Sequence, residues 1–219
     1  MNEHSSIIQN LHSKIKQGII NQDFRPGEKL PERELAQKYN VSRTPIRQVL
    51  QTLSSEGLVE FIPYKGAFIK DLTIKEFKDI TQLRMVLETF AVEVCCDHIS
   101  ENILKQLEEI INKQKEAIRN NDVKEYSHLD QEFHHVIVKG TENNELVTFV
   151  ELLNQKSYLS RIRTLSLHGQ MERSLIDHKE ILECIKLGDK EGARQKAAAH
   201  VDDALQKYIS VHNIITSLK

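Results

Sequence analysis

The chain has 219 residues, room for one large or two small domains, and its 39% hydrophobic and 28% charged content is that of an ordinary globular protein. No apolar run approaches eighteen residues, which excludes a transmembrane helix and a membrane partner. A formal net charge of −2 argues against a nonspecific nucleic-acid coat.

The charge is unevenly divided. Residues 1–70 hold ten Lys/Arg against seven Asp/Glu, and the remainder twenty against twenty-five, a balance expected when a nucleic-acid module is joined to something else. The first ten residues are polar and do not read as a signal peptide. Three cysteines, two of them the adjacent Cys95 and Cys96, make no disulfide framework, and a cytoplasmic location is expected. Eight glycines and four prolines point to few turns and long helices.

In chain order, residues 4–21 predict an amphipathic helix with Ile7, Ile8, Leu11, Ile15 and Ile19 apolar. Arg25-Pro-Gly-Glu-Lys-Leu30 reads as a turn and a short extended piece. A short helix over 31–39 follows, with Asn40 at a left-handed position after it. The next helix, 42–56, has two unlike faces. Ile46, Val49, Leu50 and Leu53 make an apolar stripe, and Arg43, Thr44, Arg47, Gln48 and Gln51 fall on the other side. Ser42 stands at its N-cap, Pro45 in its first turn and Gly57 past its end. Arg and Gln are the side chains that read base edges in the major groove, so this pair of helices predicts a helix-turn-helix. Apolar runs at 58–62 and 67–69 around Pro63-Tyr-Lys-Gly66 predict a β-hairpin, a wing tipped by Lys65 and Gly66.

Gly27-Glu-Lys-Leu30, Glu32-Arg-Glu-Leu-Ala36, Val41-Ser-Arg-Thr-Pro-Ile-Arg47, Leu53-Ser-Ser-Glu-Gly-Leu-Val59 and Gly66 closely resemble the DNA-binding domain of GntR-family bacterial regulators. The resemblance implies that Arg33, Arg43, Thr44 and Arg47 contact double-stranded operator DNA, assisted by the wing turn at Lys65 and Gly66. Gln48 stands where many members carry Glu.

Beyond residue 70 the chain predicts only helices, near 73–98, 100–120, 122–139, 143–167, 172–187 and 189–214. Thr73-Ile-Lys-Glu76 is a capping box; Asp122 and Asp189 open helices, and Gly140, Gly169 and Gly188 read as stops. The expected fold is therefore mainly α: an N-terminal winged helix-turn-helix, residues 1–70, followed by an antiparallel bundle of about six helices, residues 71–219.

Eight of the ten histidines lie at or beyond position 98. Asp130 and His134 are one helical turn apart, and His178 and His200 lie on the last two helices at comparable distances from Gly188. One carboxylate and three imidazoles on facing helices suit a metal ion; solvated or capped histidines are the alternative that spacing leaves open. His135 points about 100° away from His134, and His98, His128 and His168 read as ordinary.

The same residues, with Arg84-Met-Val-Leu-Glu88, resemble the FCD effector domain of the FadR-type branch of the GntR family. That resemblance implies a divalent transition metal held by Asp130, His134, His178 and His200, with Zn or Ni favoured by the donor set. It also implies a small carboxylate effector gripped by Arg84, where an ion-paired helix residue is the other reading. Arg161 and Arg163 are further candidates for that grip, with surface pairs the favoured reading of both, and Cys95 and Cys96 are assigned to the core or near it. The expected function is a ligand-responsive transcriptional regulator, a repressor rather than an activator, binding a palindromic operator as a homodimer and having no enzymatic activity. A metal-dependent hydrolase carrying a DNA-binding module is the alternative. Against it, Glu132 lies off the Asp130–His134 face, and there is no HExxH.

Overall fold

The computed structural model describes residues 3–20 and 23–217, which divide into two compact units at Asp71/Leu72. In the first unit, α1 (Glu3–Ile20), α2 (Glu32–Lys38) and α3 (Arg43–Ser55) precede a hairpin of β1 (Val59–Ile62) and β2 (Gly66–Ile69). The expected continuation of the first helix to residue 21 lies outside the described residues.

Helix α3 buries Pro45, Ile46, Val49, Leu50 and Leu53, the predicted stripe, against α1, α2 and β1. From α1, Leu11, Ile15 and Ile19 enter that core, whereas Ile7 stays 45% exposed one turn further out. Ser42 is extended at the N-cap of α3, but its hydroxyl caps nothing. Asn40 and Gly57 both take the left-handed conformation, at φ 54° and 78°, which turns the chain sharply at each end of α3. At the C-terminal end of α3, His12 and Lys16 of α1 both reach Glu56, at 2.7 and 2.8 Å.

The hairpin is antiparallel, with Val59 opposite Ile69 and Ile62 opposite Gly66. The extended piece after the Arg25 turn lies along its free edge. Leu30 donates its N–H to Ala67 at 2.8 Å, and Ile69 donates to Glu28 at 2.8 Å. Backbone groups that an edge strand leaves open are satisfied this way.

The second unit contains, among the described residues, α4 (Ile74–Asp97), α5 (Glu101–Arg119), α6 (Val123–Gly140), α7 (Asn144–Leu165), α8 (Gln170–Leu187) and α9 (Lys190–Ser217). Local chemistry sets the starts. Thr73 and Glu76 form the predicted capping box, and Ser100, Asp122 and Asn143 each accept an N–H three residues on. Caps of this kind contribute about 1 kcal/mol each. Gly188 closes α8 at φ 68° and Gly169 precedes it at φ 74°. Gly140 stands at the end of α6, as expected, without taking the left-handed conformation itself, and the chain turns at Glu142, φ 56°. Its missing Cβ instead leaves room for the Cys95 thiol, which a methyl group there would meet at 3.0 Å.

Helix α4 does not pack on its successor. It lies along α9 and touches α6, α7 and α8, while α5 packs on α6 and α8. The last helix of the chain therefore closes on the first helix of its unit. One core runs from Ala91 and Val92 through Phe133 and Ile137 to Ile181 and Ala197. A smaller cluster gathers Leu72, Phe77, Leu205 and Tyr208, where the Tyr208 hydroxyl donates to the Leu72 carbonyl.

Candidate functional site

Two groups of side chains stand out, one in each unit. In the first unit the polar face of α3 is bare. Arg43, Thr44, Arg47, Gln48 and Gln51 are exposed, as are Arg33 on α2 and Lys65 and Gly66 in the hairpin turn. Arg47 is held in place by Glu32 from the first turn of α2, with Nε to Oε1 at 2.8 Å and Nη2 to Oε2 at 2.9 Å. Sequence reading missed two features here: this fork, and Tyr64, fully exposed at the hairpin tip with φ 63°.

In the second unit Asp130, His134, His178 and His200 come together, each offering a ligand atom, all within 4.8 Å of one another. Asp130 and His134 project from one face of α6, His178 comes from the middle of α8 and His200 from α9. Asp130, His134 and His178 are buried and the His200 side chain is 10% exposed.

Each imidazole has its Nδ1 engaged by a residue from outside the cluster. His134 donates to Glu88 Oε2 at 3.0 Å, His178 to Gln114 Oε1 at 3.0 Å and His200 to Asp177 Oδ2 at 3.3 Å. A ring that donates from Nδ1 presents a bare lone pair at Nε2. The Nε2 atoms of His134 and His200 then face each other at 3.2 Å. His178 Nε2 is buried with no hydrogen-bond partner, 3.5 Å from the Asp130 carboxylate. Three lone pairs and an anion converging without a donor between them repel one another. A cation at their centre turns the repulsion into attraction.

The electrostatics suit that role. Burial lowers the affinity of His134 and His178 for protons, His178 well below its ordinary value, so both enter as neutral donors. Burial works against the Asp130 charge, but the Arg161 guanidinium beside it outweighs that and holds the carboxyl below its usual range. Glu88 is likewise opposed by burial and held well below its usual range by Arg84 and His134.

Arg84 is buried at 5% exposure, and its Nε donates to Glu88 Oε1 at 2.7 Å. It also lines a cavity beside the cluster, together with Asp130, His200 and Arg161. The assignment of Arg161 to a surface pair is wrong. It is 6% exposed on α7, 3.3 Å from Asp130 through Nε and 2.7 Å from Asn154 Oδ1 through Nη2. Glu88, Gln114 and Asp177 were not readable as site residues from spacing, because each comes from a different helix, and Arg161, a candidate, was weighted toward the surface. Glu132 lies in a separate surface groove with His128, His135 and Glu151, away from the cluster.

A helix-turn-helix unit with a bare basic face, joined to a helical unit with a buried His/Asp cluster, defines a transcriptional regulator with a second, binding domain. Comparison with known proteins agrees. Residues 7–69 match the family described as bacterial regulatory proteins, gntR family, and residues 79–203 match the FCD domain. The chain belongs to the GntR family and carries an FCD domain.

An uncharacterized HTH-type transcriptional regulator of Bacillus subtilis, YdhC, is 33% identical over 190 residues, 86% of this chain and 85% of that one. The gluconate operon transcriptional repressor of the same organism is 28% identical over 202 residues, 90% and 81% of the two chains. Among solved structures, a GntR regulator from Rhodococcus superposes with a TM-score of 0.81 at 21% identity, covering 94% of this chain and 98% of that one. Escherichia coli McbR/YncC gives 0.77 at 19% identity, covering 97% and 100%. The relatives are transcriptional regulators, which removes the hydrolase alternative: this chain is a regulator and not an enzyme. No helix among the described residues is long and apolar enough to cross a membrane.

Proposed function

We propose that this protein is a cytoplasmic repressor that binds a palindromic operator in double-stranded DNA as a homodimer. A small organic acid, held at a divalent transition metal in the second unit, modulates it. The observation that carries the reading is the convergence of three imidazole lone pairs and one carboxylate in a buried site. Asp130, His134, His178 and His200 hold the ion, with Zn or Ni favoured by nitrogen-rich donors. Bound there, the ion supplies a positive anchor for a carboxylate, and Arg84, at the wall of the adjoining cavity, takes a further oxygen. The name of the gluconate operon repressor supports repression as the sign of regulation.

Arg33, Arg43, Thr44 and Arg47 read the operator, and Lys65 and Gly66 of the hairpin turn meet the backbone. Helix α4 begins at Ile74, directly after the DNA-binding unit, so movement of its first turns reaches that unit through the chain. Coupling requires that effector favour one arrangement over another by about 1–3 kcal/mol. The direct test combines elemental analysis of the purified protein with operator binding measured before and after chelation. A protein that carries no metal, and takes up none, overturns the reading.

Glu88 supports the site at one remove. It fixes the His134 ring so that Nε2 faces the cluster, and it neutralises Arg84. Glu88→Gln should weaken metal affinity roughly 10–100-fold, read by competition with a chromogenic chelator. Unchanged affinity means the ring needs no such partner.

Self-association is supported by an apolar surface on α4 and α7, two helices that pack together. Leu83, Val86 and Phe90 of α4 are 56, 66 and 49% exposed, and Phe149 and Leu152 of α7 are 58 and 40% exposed. Clusters of large apolar side chains on a surface mark contact sites, and a palindromic operator demands a two-fold symmetric reader. The wild-type chain should sediment as a dimer at micromolar concentration, and Val86→Glu/Phe149→Glu as a monomer. A wild-type monomer that still binds operator tightly contradicts the dimer.

A further inference from the structure

Among the described residues, Arg161 carries the one fully buried guanidinium nitrogen left without a partner. Its Nε faces Asp130 and its Nη2 donates to Asn154, but Nη1 is buried without a partner. A guanidinium nitrogen left unpaired inside a protein costs free energy unless something arrives to accept from it. The residue lines the cavity beside the metal cluster. The hydroxyls of that wall are already occupied: Ser157 donates to the Leu153 carbonyl, Thr164 to the Arg161 carbonyl and Ser174 to Asp130. Gln170 donates to Asp203. Arg161 therefore offers the donor that a bound molecule has yet to use.

The charges point to what that molecule is. Two guanidiniums, Arg84 and Arg161, stand against two carboxylates, Glu88 and Asp130, all four buried. Asp177, also buried, is matched by the exposed Arg173 at 3.4 Å. With Arg173 counted the set is balanced, so a divalent ion leaves two positive charges uncompensated. Burying unbalanced charge is costly, and a ligand with two negative charges removes the imbalance.

We propose that Arg161 receives the second anionic group of the effector and that the site selects a short dianion, such as a dicarboxylate. One carboxylate is left for the metal and the other for the free Arg161 nitrogen. The inference rests on the reading of an anion site beside a metal, and adds to it a receptor residue and a ligand class. Arg suits the task because its planar fork can hold Asp130 on one side and present the remaining nitrogen to a carboxylate on the other.

The experiment uses the full chain loaded with zinc, titrated calorimetrically with malonate, succinate and glutarate, and with propionate and butyrate as single-charge counterparts. The best dicarboxylate should bind roughly 10–150-fold more tightly than its monocarboxylate counterpart, the range of one charge-assisted contact. Arg161→Gln and Arg161→Lys, checked for zinc content, should erase most of that preference, read as the ratio of the two affinities within each variant. Zinc-dependent binding of both classes with equal affinity overturns the role of Arg161 and leaves the anion site standing. Acids that bind the zinc-loaded and zinc-free chains alike overturn the anion site and this inference with it. The comparison of acids on the unaltered chain holds even where a variant fails to fold.

Discussion

The His134→Ala/His178→Ala variant should fold, bind no metal and lose its response to effector while keeping operator affinity. Two of four ligands are gone in this variant, and the remaining Asp130 and His200 cannot close a site that needs four. The surface proposed to read the operator lies in the first unit and shares no residue with the cluster. Operator affinity without effector should therefore stay within about twofold of wild type, a change below roughly 0.5 kcal/mol. Stability should respond to metal in the wild type only. At a free-metal concentration about 100 times the dissociation constant the linkage is worth about 2.7 kcal/mol. The variant also loses the Phe133–His178 stack, with centroids 4.1 Å apart, and leaves Gln114 Oε1 without its donor. A further loss on the order of 1–3 kcal/mol is expected from the unpaired acceptor. An effector response that survives in the metal-free variant sinks the proposed anchor.

Acidity provides an independent check on the same cluster. His134 and His178 take up protons less readily folded than unfolded, because burial disfavours the charged ring. Below the unfolded value near 6.5, the unfolded chain binds protons that the folded chain refuses, so stability falls as pH falls. Chelated wild type should lose melting temperature between about pH 7 and 5, and the double variant should show a shallower slope over that window.

Operator recognition should collapse with single changes on α3. Arg43→Ala and Arg47→Ala should each cost on the order of 1–3 kcal/mol if each makes a bidentate base contact, and each should relax specificity at the base it reads. Lys65→Ala should instead weaken binding to all sequences alike and reduce the salt slope by about one. The Glu32 carboxylate already holds Arg47 by two bonds, so the side chain is ordered before DNA arrives. DNA binding then exchanges one acceptor for another. Fluorescence anisotropy with operator and scrambled duplexes separates these outcomes. Both variants binding operator as wild type does would falsify the assignment of α3 as the reading helix.

The sequence by itself determined whatever depends on local spacing. The stripe Ile46, Val49, Leu50, Leu53 set which face of α3 is buried, and therefore which residues are bare. The capping box at Thr73 and the side-chain caps at Asp122 and Asp189 are short-range hydrogen bonds, legible because they span three residues. Asp130 and His134 share a face because four residues make about one turn. Their meeting with His178 and His200 was suggested by height on two helices and by resemblance.

Tertiary structure alone decided how the site is finished. Glu88, Gln114 and Asp177 engage the three imidazoles from three different helices, and nothing in their local sequence distinguishes them from solvated residues. Arg161 was assigned to the surface because an isolated arginine usually lies there. The end of α7 is buried on nearly every side, from Ser157 and Tyr158 through Arg161 and Ile162 to Leu165, so no apolar stripe marks which way a residue faces. Where a helix is enclosed by its neighbours, its periodicity carries no direction. The burial of a charge there is set by the carboxylate that another helix brings to meet it.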